Sequence, residues 1–293
     1  MGTIKNIAII FMSIFFESLP FLLLGSFISS IIEVYISNDA IAKLIPKNKI
    51  LGSIVGVFLG FFIPACDCAV IPVAKRLMKK KVPINVTVSF MLASPIINPV
   101  VLLSTYYAFY KTNSNIFWGR FILGIIISLV IGIIMGIIFG NKDVVTNNTD
   151  DDCHCHKHHK NKFTAIFEHT ANDLFEVVKY LMFGALIASL VQVLLPRSIL
   201  ISLNNNEWAS ILTLMLFAYL ISLCSTSDSF VGKTLLTSFG ETSIMAYLLL
   251  GPMIDIKNTF VLLGNYKKSF VITLISLIFV VIFITALLGV GII

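Results

Sequence analysis

Charge is scarce in this sequence. Asp, Glu, Lys and Arg make up 12% of its 293 residues, while hydrophobic residues make up 57%. A soluble domain carries about 25% charged residues. A chain with half of that lacks the polar surface to cover a soluble fold, and it is too apolar for disorder or a solvated coiled coil. The 21 Lys and Arg exceed the 15 Asp and Glu, for a net charge of +6. In so apolar a chain that excess marks loops facing anionic lipid and excludes a nucleic-acid partner. Cysteine is sparse too, at five residues. Cys66, Cys68 and Cys224 lie in or beside apolar segments, and Cys153 and Cys155 lie in a hydrophilic one. That distribution suggests ligands before a disulfide framework. No Walker loop, Rossmann fingerprint, H-E-x-x-H or G-x-S-x-G occurs with a soluble domain around it. ATP hydrolysis or other enzymatic chemistry has no motif to rest on, so the sequence reads as a non-enzyme.

What is present is a series of long apolar runs. Crossing ~30 Å of hydrocarbon takes about 20 apolar residues in a helix. Candidate spans fall at 7–36, 50–72, 84–109, 117–140, 170–196, 207–225, 243–264 and 269–291. The first follows Lys5 with no small-residue cleavage site, so it reads as a span and not a removed signal. The expectation is an all-α polytopic membrane protein of about eight transmembrane helices, or eight to ten elements with re-entrant segments. One hydrophilic stretch, NKDVVTNNTDDDCHCHKHHKNK (141–162), divides the spans four and four. The organisation is thus a first membrane repeat (1–140), a Cys/His-rich loop (141–165) and a second membrane repeat (166–293).

The halves align with each other. Glu17 matches Glu176, Gly25 matches Gly184, Ser30 matches Ser189 and Glu33 matches Gln192, all 159 residues apart. Cys66 matches Cys224 and Lys75 matches Lys233 at 158, and Pro95 matches Pro252 and Asn98 matches Asp255 at 157. The matches fall on polar, Gly, Pro and Cys positions, where chance agreement in an apolar chain is rarest. Duplicated halves with broken helices are a common build of secondary transporters, with the substrate site near the midplane. The breaks are legible in FFIPACDCAVIP (61–72) and MLASPIINP (91–99), where proline removes a backbone donor. LCSTSDS (223–229) and LGPMID (250–255) stand in the corresponding places. Four full spans per half would make the repeats parallel. A re-entrant 50–72 would leave three spans per half and make them inverted. An inner N-terminus puts Lys75–Lys81 and the central loop in the cytoplasm but Lys43, Lys47 and Lys49 outside. The re-entrant alternative puts these basic groups on one side. KRLMKKK (75–81) reads as a surface orientation signal.

Three groups of residues could carry chemistry. Thiolates suit soft ions. Cys66 and Cys68 would point about 200° apart on a regular helix, so only a broken turn lets them converge. With Cys224, the repeat mate of Cys66, they make a candidate soft substrate site, with Asn98 and Asp255 lining the pathway. Intramembrane carboxylates are costly and mark ion or proton routes. Glu17 and Glu176 are the candidates for proton coupling, because both halves keep them. Glu33, Asp67 and Asp228 also lie in or near spans. Cys153, His154, Cys155, His156, His158 and His159 put six potential ligands in seven residues. Imidazole and thiolate suit Zn, Cu or Ni, here on a flexible tether and not in a zinc finger. No cofactor is required for the transport reading.

The motifs PACDCAVIPVAKRL (64–77), FMLASPIINPVVLL (90–103) and LCSTSDSFVGK (223–233) resemble the predicted-permease family that includes the ArsP-type organoarsenical efflux permeases. The likeness covers nearly the whole chain. It implies a multi-pass permease of the bacterial inner membrane, about eight spans and, for some members, export of trivalent methylated or aromatic arsenicals held by cysteines. Other relatives are associated with copper or zinc export. Carried over residue by residue, the cysteines are Cys66, Cys68 and Cys224, while the Cys/His loop has no counterpart in the arsenical exporters. The function expected is secondary efflux of a soft, thiol-binding solute, an arsenical or a transition metal ion, with membrane lipid as the standing partner. A membrane thiol oxidoreductase and a metal-sensing scaffold are the alternatives, and oligomeric state is left open. Deleting 150–160 separates the scaffold from the permease. A permease keeps most of its flux in membrane vesicles without the tether, and a scaffold loses all function.

Overall fold

The computed structural model describes residues 2–35, 46, 48–63, 66–111, 114–140, 142–146, 162–194 and 206–289. The side chains of 2, 3, 33 and 162–165 are outside that description, as is the whole Cys/His run 153–159. Among the described residues every regular element is a helix. The first half holds α1 (Gly2–Tyr35), α2 (Lys49–Phe62), α3 (Asp67–Lys79), α4 (Ile84–Ile97), α5 (Pro99–Phe109) and α6 (Asn115–Phe139). The second holds α7 (Lys162–Leu194), α8 (Glu207–Ile221), α9 (Ser225–Leu235), α10 (Glu241–Met253), α11 (Ile256–Asn265) and α12 (Lys268–Gly289).

Among the described residues six helical segments are long and apolar enough to cross a membrane, against the eight expected: Ile4–Ile32, Ile84–Phe109, Asn115–Phe139, Ile166–Leu194, Glu241–Asn265 and Lys268–Gly289. The spans expected at 50–72 and 207–225 are instead pairs of short helices. α2 has 14 residues and α8 has 15, about 21–23 Å at 1.5 Å per residue. Their ends have local causes. Ile63 caps α2 in an extended conformation (φ −90°, ψ 104°), as a residue before proline prefers. Asn98, just before Pro99, is extended for the same reason (ψ 132°) and separates α4 from α5. Ser222 ends α8 in the left-handed region (φ 52°). Pro72 and Pro95 sit inside α3 and α4 without ending them.

Small residues set the packing of the first half. In lipid there is no hydrophobic force between helices, so close van der Waals approach decides association. α2 offers Gly52, Gly56 and Gly60, and a Cβ added at Gly56 would lie 2.3 Å from the Val86 carbonyl oxygen. α6 offers Gly124, Ser128, Gly132 and Gly136 on the same four-residue spacing, and a Cβ at Gly132 would lie 1.9 Å from Ser89 Oγ. Between these stripes every residue of α4 is buried. Gly52 meets Asn85 and Gly60 meets Ser94, so α2 runs parallel to α4; Gly124 meets Ile96 and Gly136 meets Asn85, so α6 runs antiparallel.

The chain that leaves along α2 returns along α3. Lys49, Pro83 and Lys142 border one cavity, and Lys81, Pro83 and Lys142 border its neighbour. The start of α2, the end of α3 and the exit of α6 therefore share one face. Lys49, expected on the side opposite Lys81, comes to the same face as Lys81, while Lys43 and Lys47 lie outside the described residues. The 144–146 segment also pairs with 265–267, through Thr146 N–H to Asn265 O (3.0 Å) and Lys267 N–H to Val144 O (2.9 Å), which adds the α11–α12 junction to that face.

α1 and α7 lie along each other. Near the end of α1 and the start of α7, Ser29 Oγ donates to Asp173 Oδ2 (3.1 Å) and Thr170 Oγ1 donates to Ser30 Oγ (3.0 Å). α1 presses Gly25 onto Ala69 of α3, and α7 presses Gly184 onto Lys257 of α11; an added Cβ would stand 2.6 Å and 2.8 Å from the opposing backbone. Gly56→Val is expected to cost about 1–3 kcal/mol by overpacking, seen as a lower unfolding midpoint in detergent. Gly240→Ser is expected to leave the midpoint unchanged, because nothing lies within 4 Å of a Cβ there.

Candidate functional site

Three helix starts meet at a small, partly open pocket of about 20 Å³, room for roughly one water. The start of α3 contributes Cys66, Asp67 and Cys68, the α8–α9 turn contributes Ser222 and Cys224, and α11 contributes Lys257. Glu17 and Ser18 of α1 close one side. Cys66 is the N-cap of α3, with φ −74° and ψ 170°, and Cys224 is the N-cap of α9, with φ −71° and ψ 143°. Neither makes a side-chain capping hydrogen bond. The extended cap residue resolves the spacing problem: Cys66 stands outside the helical turn that carries Cys68, so both line one cavity. All three cysteines are free thiols.

Lys257 organises the polar floor. Its Nζ donates to Asp67 Oδ2 at 3.0 Å and to Asp255 Oδ2, and lies 3.5 Å from Ser222 O. Asp255 is the N-cap of α11, and its Oδ1 accepts from Asn258 N–H at 2.7 Å. Asn258 Nδ2 donates to Asp67 Oδ2 at 2.8 Å, and its Oδ1 accepts from the Cys68 thiol at 3.6 Å. Asp67, Asp255 and Lys257 are 8%, 0% and 3% exposed. Burial of charge is tolerated only with such pairing and hydrogen bonding.

The sequence-derived residues divide. Cys66, Cys68, Cys224 and Glu17 line the cavity, and Asp255 stands behind it on Lys257. Asn98 caps α5, accepting from Val100 N–H at 3.0 Å, and is not a lining residue. Glu176 is held by Lys75 Nζ at 2.7 Å, away from the cavity. The 75–81 stretch is therefore not wholly a surface signal. Lys75 and Arg76 are buried, and Arg76 grips Asp173 through Nη2 at 2.6 Å and Nε at 3.1 Å. Lys257, Asp173 and Arg120 were missed as partners. Arg120 and Lys257 carry a signal, each being a cation within a largely apolar stretch, whereas Asp173 lies among other polar residues.

A family model described as predicted permease, of the ArsP type, matches residues 3–290. The chain belongs to this family. It is 39% identical over 285 residues to the UPF0718 protein YcgR of Bacillus subtilis, covering 96% of each chain. It is 38% identical over 271 residues to a Streptococcus mutans protein provisionally named as a subunit of a two-component membrane permease complex, covering 91% of this chain and 89% of that one. No solved structure matches the chain. Family and spans together make this a multi-pass membrane protein of the permease class.

Lys257→Met leaves Asp67 and Asp255 buried without their shared cation. The expected cost is about 3–5 kcal/mol, read as a lower unfolding midpoint in detergent. Asp67→Asn added to Lys257→Met is expected to recover part of it. Equal midpoints for Lys257→Met and the unmodified protein would remove Lys257 from this role.

Proposed function

We propose that this permease carries out secondary efflux of a soft, thiol-binding solute, a trivalent organoarsenical or a transition metal ion. One observation carries the reading: three free thiols, drawn from both halves of the chain, line one pocket. Thiolates bind soft ions and trivalent arsenicals, and exchange among three sulfurs moves such a solute without releasing it. The pocket at the thiols has room for about 20 Å³, so a methylated or aromatic arsenical fits there only when the lining helices part. Glu17, at the cavity edge, is the better placed of the two expected proton-coupling acids, since Glu176 is engaged with Lys75.

The halves 1–140 and 166–293 are read as inverted repeats. Several features support this. Each half has a long helix, two short ones, a broken span and a final helix, in that order. Cys66 and Cys224 cap α3 and α9, Asn98 and Asp255 cap α5 and α11, and Pro95 and Pro252 lie within α4 and α10. Three spans fall in each half, and an odd number reverses orientation. Lys49, Lys81 and Lys142 share one face with the 142–145 start of the loop, which favours the cytoplasm of a bacterial inner membrane for that face. The N-terminus then lies on the opposite side, contrary to the inner placement first considered. The Cys/His loop is a chelating tether for Zn, Cu or Ni. The name of the Streptococcus relative extends the proposal to a second subunit.

The test is uptake into everted vesicles of methylarsenite, arsenite, antimonite, copper(I) and zinc, with and without a proton gradient. Cys66→Ser and Cys224→Ser are expected to abolish uptake of the carried solute while the protein still inserts. Uptake unchanged in all three Cys→Ser variants overturns the cysteine mechanism.

A further inference from the structure

Arg120, on α6, is fully buried. A guanidinium keeps its charge and offers five N–H donors. Nη1 donates to Thr105 Oγ1 and to Ser229 Oγ, each at 2.8 Å, and Nη2 lies 3.5 Å from Ser225 O. All of these acceptors are neutral. Its Nε has no partner among the described residues. Asp228, on α9, is 2% exposed. Its Oδ1 accepts from the Tyr247 hydroxyl at 3.2 Å, while among the described residues its Oδ2 has no partner, and neither has Ser225 Oγ one turn earlier. Buried polar atoms are almost always satisfied. Three unsatisfied ones, a donor, an acceptor and a hydroxyl, thus stand on neighbouring side chains. Gly251 leaves the room: a Cβ there would lie 2.7 Å from Asp228 Oδ2.

Charge balance says what the site takes. Asp67, Asp228 and Asp255 are buried with two cations, Arg120 and Lys257. The other buried cations, Lys75 and Arg76, have their own carboxylates in Glu176 and Asp173. The set of five is one negative charge in excess. A second anion would worsen this, whereas one proton neutralises it. Asp67 and Asp255 both contact Lys257. Among the described residues the Asp228 carboxylate is hydrogen-bonded only by a hydroxyl, so it is the carboxylate left to receive the proton. The charged and titratable groups that act on it are Arg120 from α6, Tyr247 from α10, Lys257 from α11 and Asp67 from α3. From α5 come only the hydroxyls of Ser104 and Thr105, bonded to Ser229.

We propose that Asp228 is a proton-exchange residue of this permease in addition to Glu17, and that Arg120 is the positioning residue that supplies its counter-charge. The proposal rests on the transport reading and names a second coupling site for it. Only the O–H bond at Asp228 Oδ2 forms and breaks, and the proton passes to and from water. Asp228 N–H donates to Cys224 O at 3.0 Å, so one helical turn joins the acid to a thiol of the cavity. A cationic solute at the thiols and a proton at Asp228 answer the same excess of negative charge, so each disfavours the other.

The test is infrared difference spectroscopy of the full chain in lipid, titrated with acid. A protonated-carboxyl band is expected to titrate between about pH 5 and pH 9, to vanish in Asp228→Asn and to change frequency in Asp228→Glu. Arg120→Gln is expected to displace its midpoint by about one pH unit or more, and Arg120→Lys to bring it back. A band that survives in Asp228→Asn, or no titrating band in the unmodified protein, overturns the proposal. In proteoliposomes, Asp228→Asn is expected to lose accumulation of zinc, copper(I) or methylarsenite driven by a proton gradient while retaining exchange at equal pH. If the unmodified protein moves none of these probes, the efflux reading fails while the infrared titration still decides whether Asp228 exchanges a proton.

Discussion

One ammonium group, that of Lys257, holds the centre of this molecule together. Asp67 brings the start of α3 to it and Asp255 the start of α11, while Ser222 brings the turn before α9. Helix starts carry unsatisfied N–H groups and partial positive charge. Bringing three of them together in a membrane interior therefore requires carboxylates. Two carboxylates at one place in turn require a cation. The thiols of Cys66, Cys68 and Cys224 inherit their positions from that arrangement, since each is at or next to a helix start that Lys257 fixes.

The surrounding scaffold is held by a different force. α4 is clasped by glycine and serine stripes on α2 and α6, where packing distance matters and charge does not. The rigid part of the first half is thus built from the smallest side chains. The cavity side is built from costly ones. A transport protein has reason to divide its interior this way, because charged contacts can be exchanged for one another and close-packed glycines cannot.

Much of this was legible in the chain. Apolar runs located all six long segments, and Pro64 and Pro99 marked two of the breaks through the residue that precedes each. The Cys66, Cys68 and Cys224 grouping could be reached from spacing and repeat position. The count of eight spans went beyond the six long segments among the described residues, because hydropathy alone cannot tell one long helix from a pair of short ones. Partner choice was also hidden. Nothing local tells Lys75 to find Glu176, 101 residues away, or Lys257 to find Asp67, 190 away. Those pairings depend on how α1 and α7 dock, which is a property of the assembled halves.

Three of these ion pairs cross the middle of the chain: Asp67 with Lys257, Lys75 with Glu176 and Arg76 with Asp173. During synthesis the first half leaves the ribosome before the second exists. It then holds Asp67, Lys75 and Arg76 with none of these partners, and Arg120 without Ser229. The early half must keep those groups in contact with water or with the insertion machinery until α7 and α11 arrive. Closure of the centre is in that sense a timed event, in which the last helices to be made complete the charges of the first.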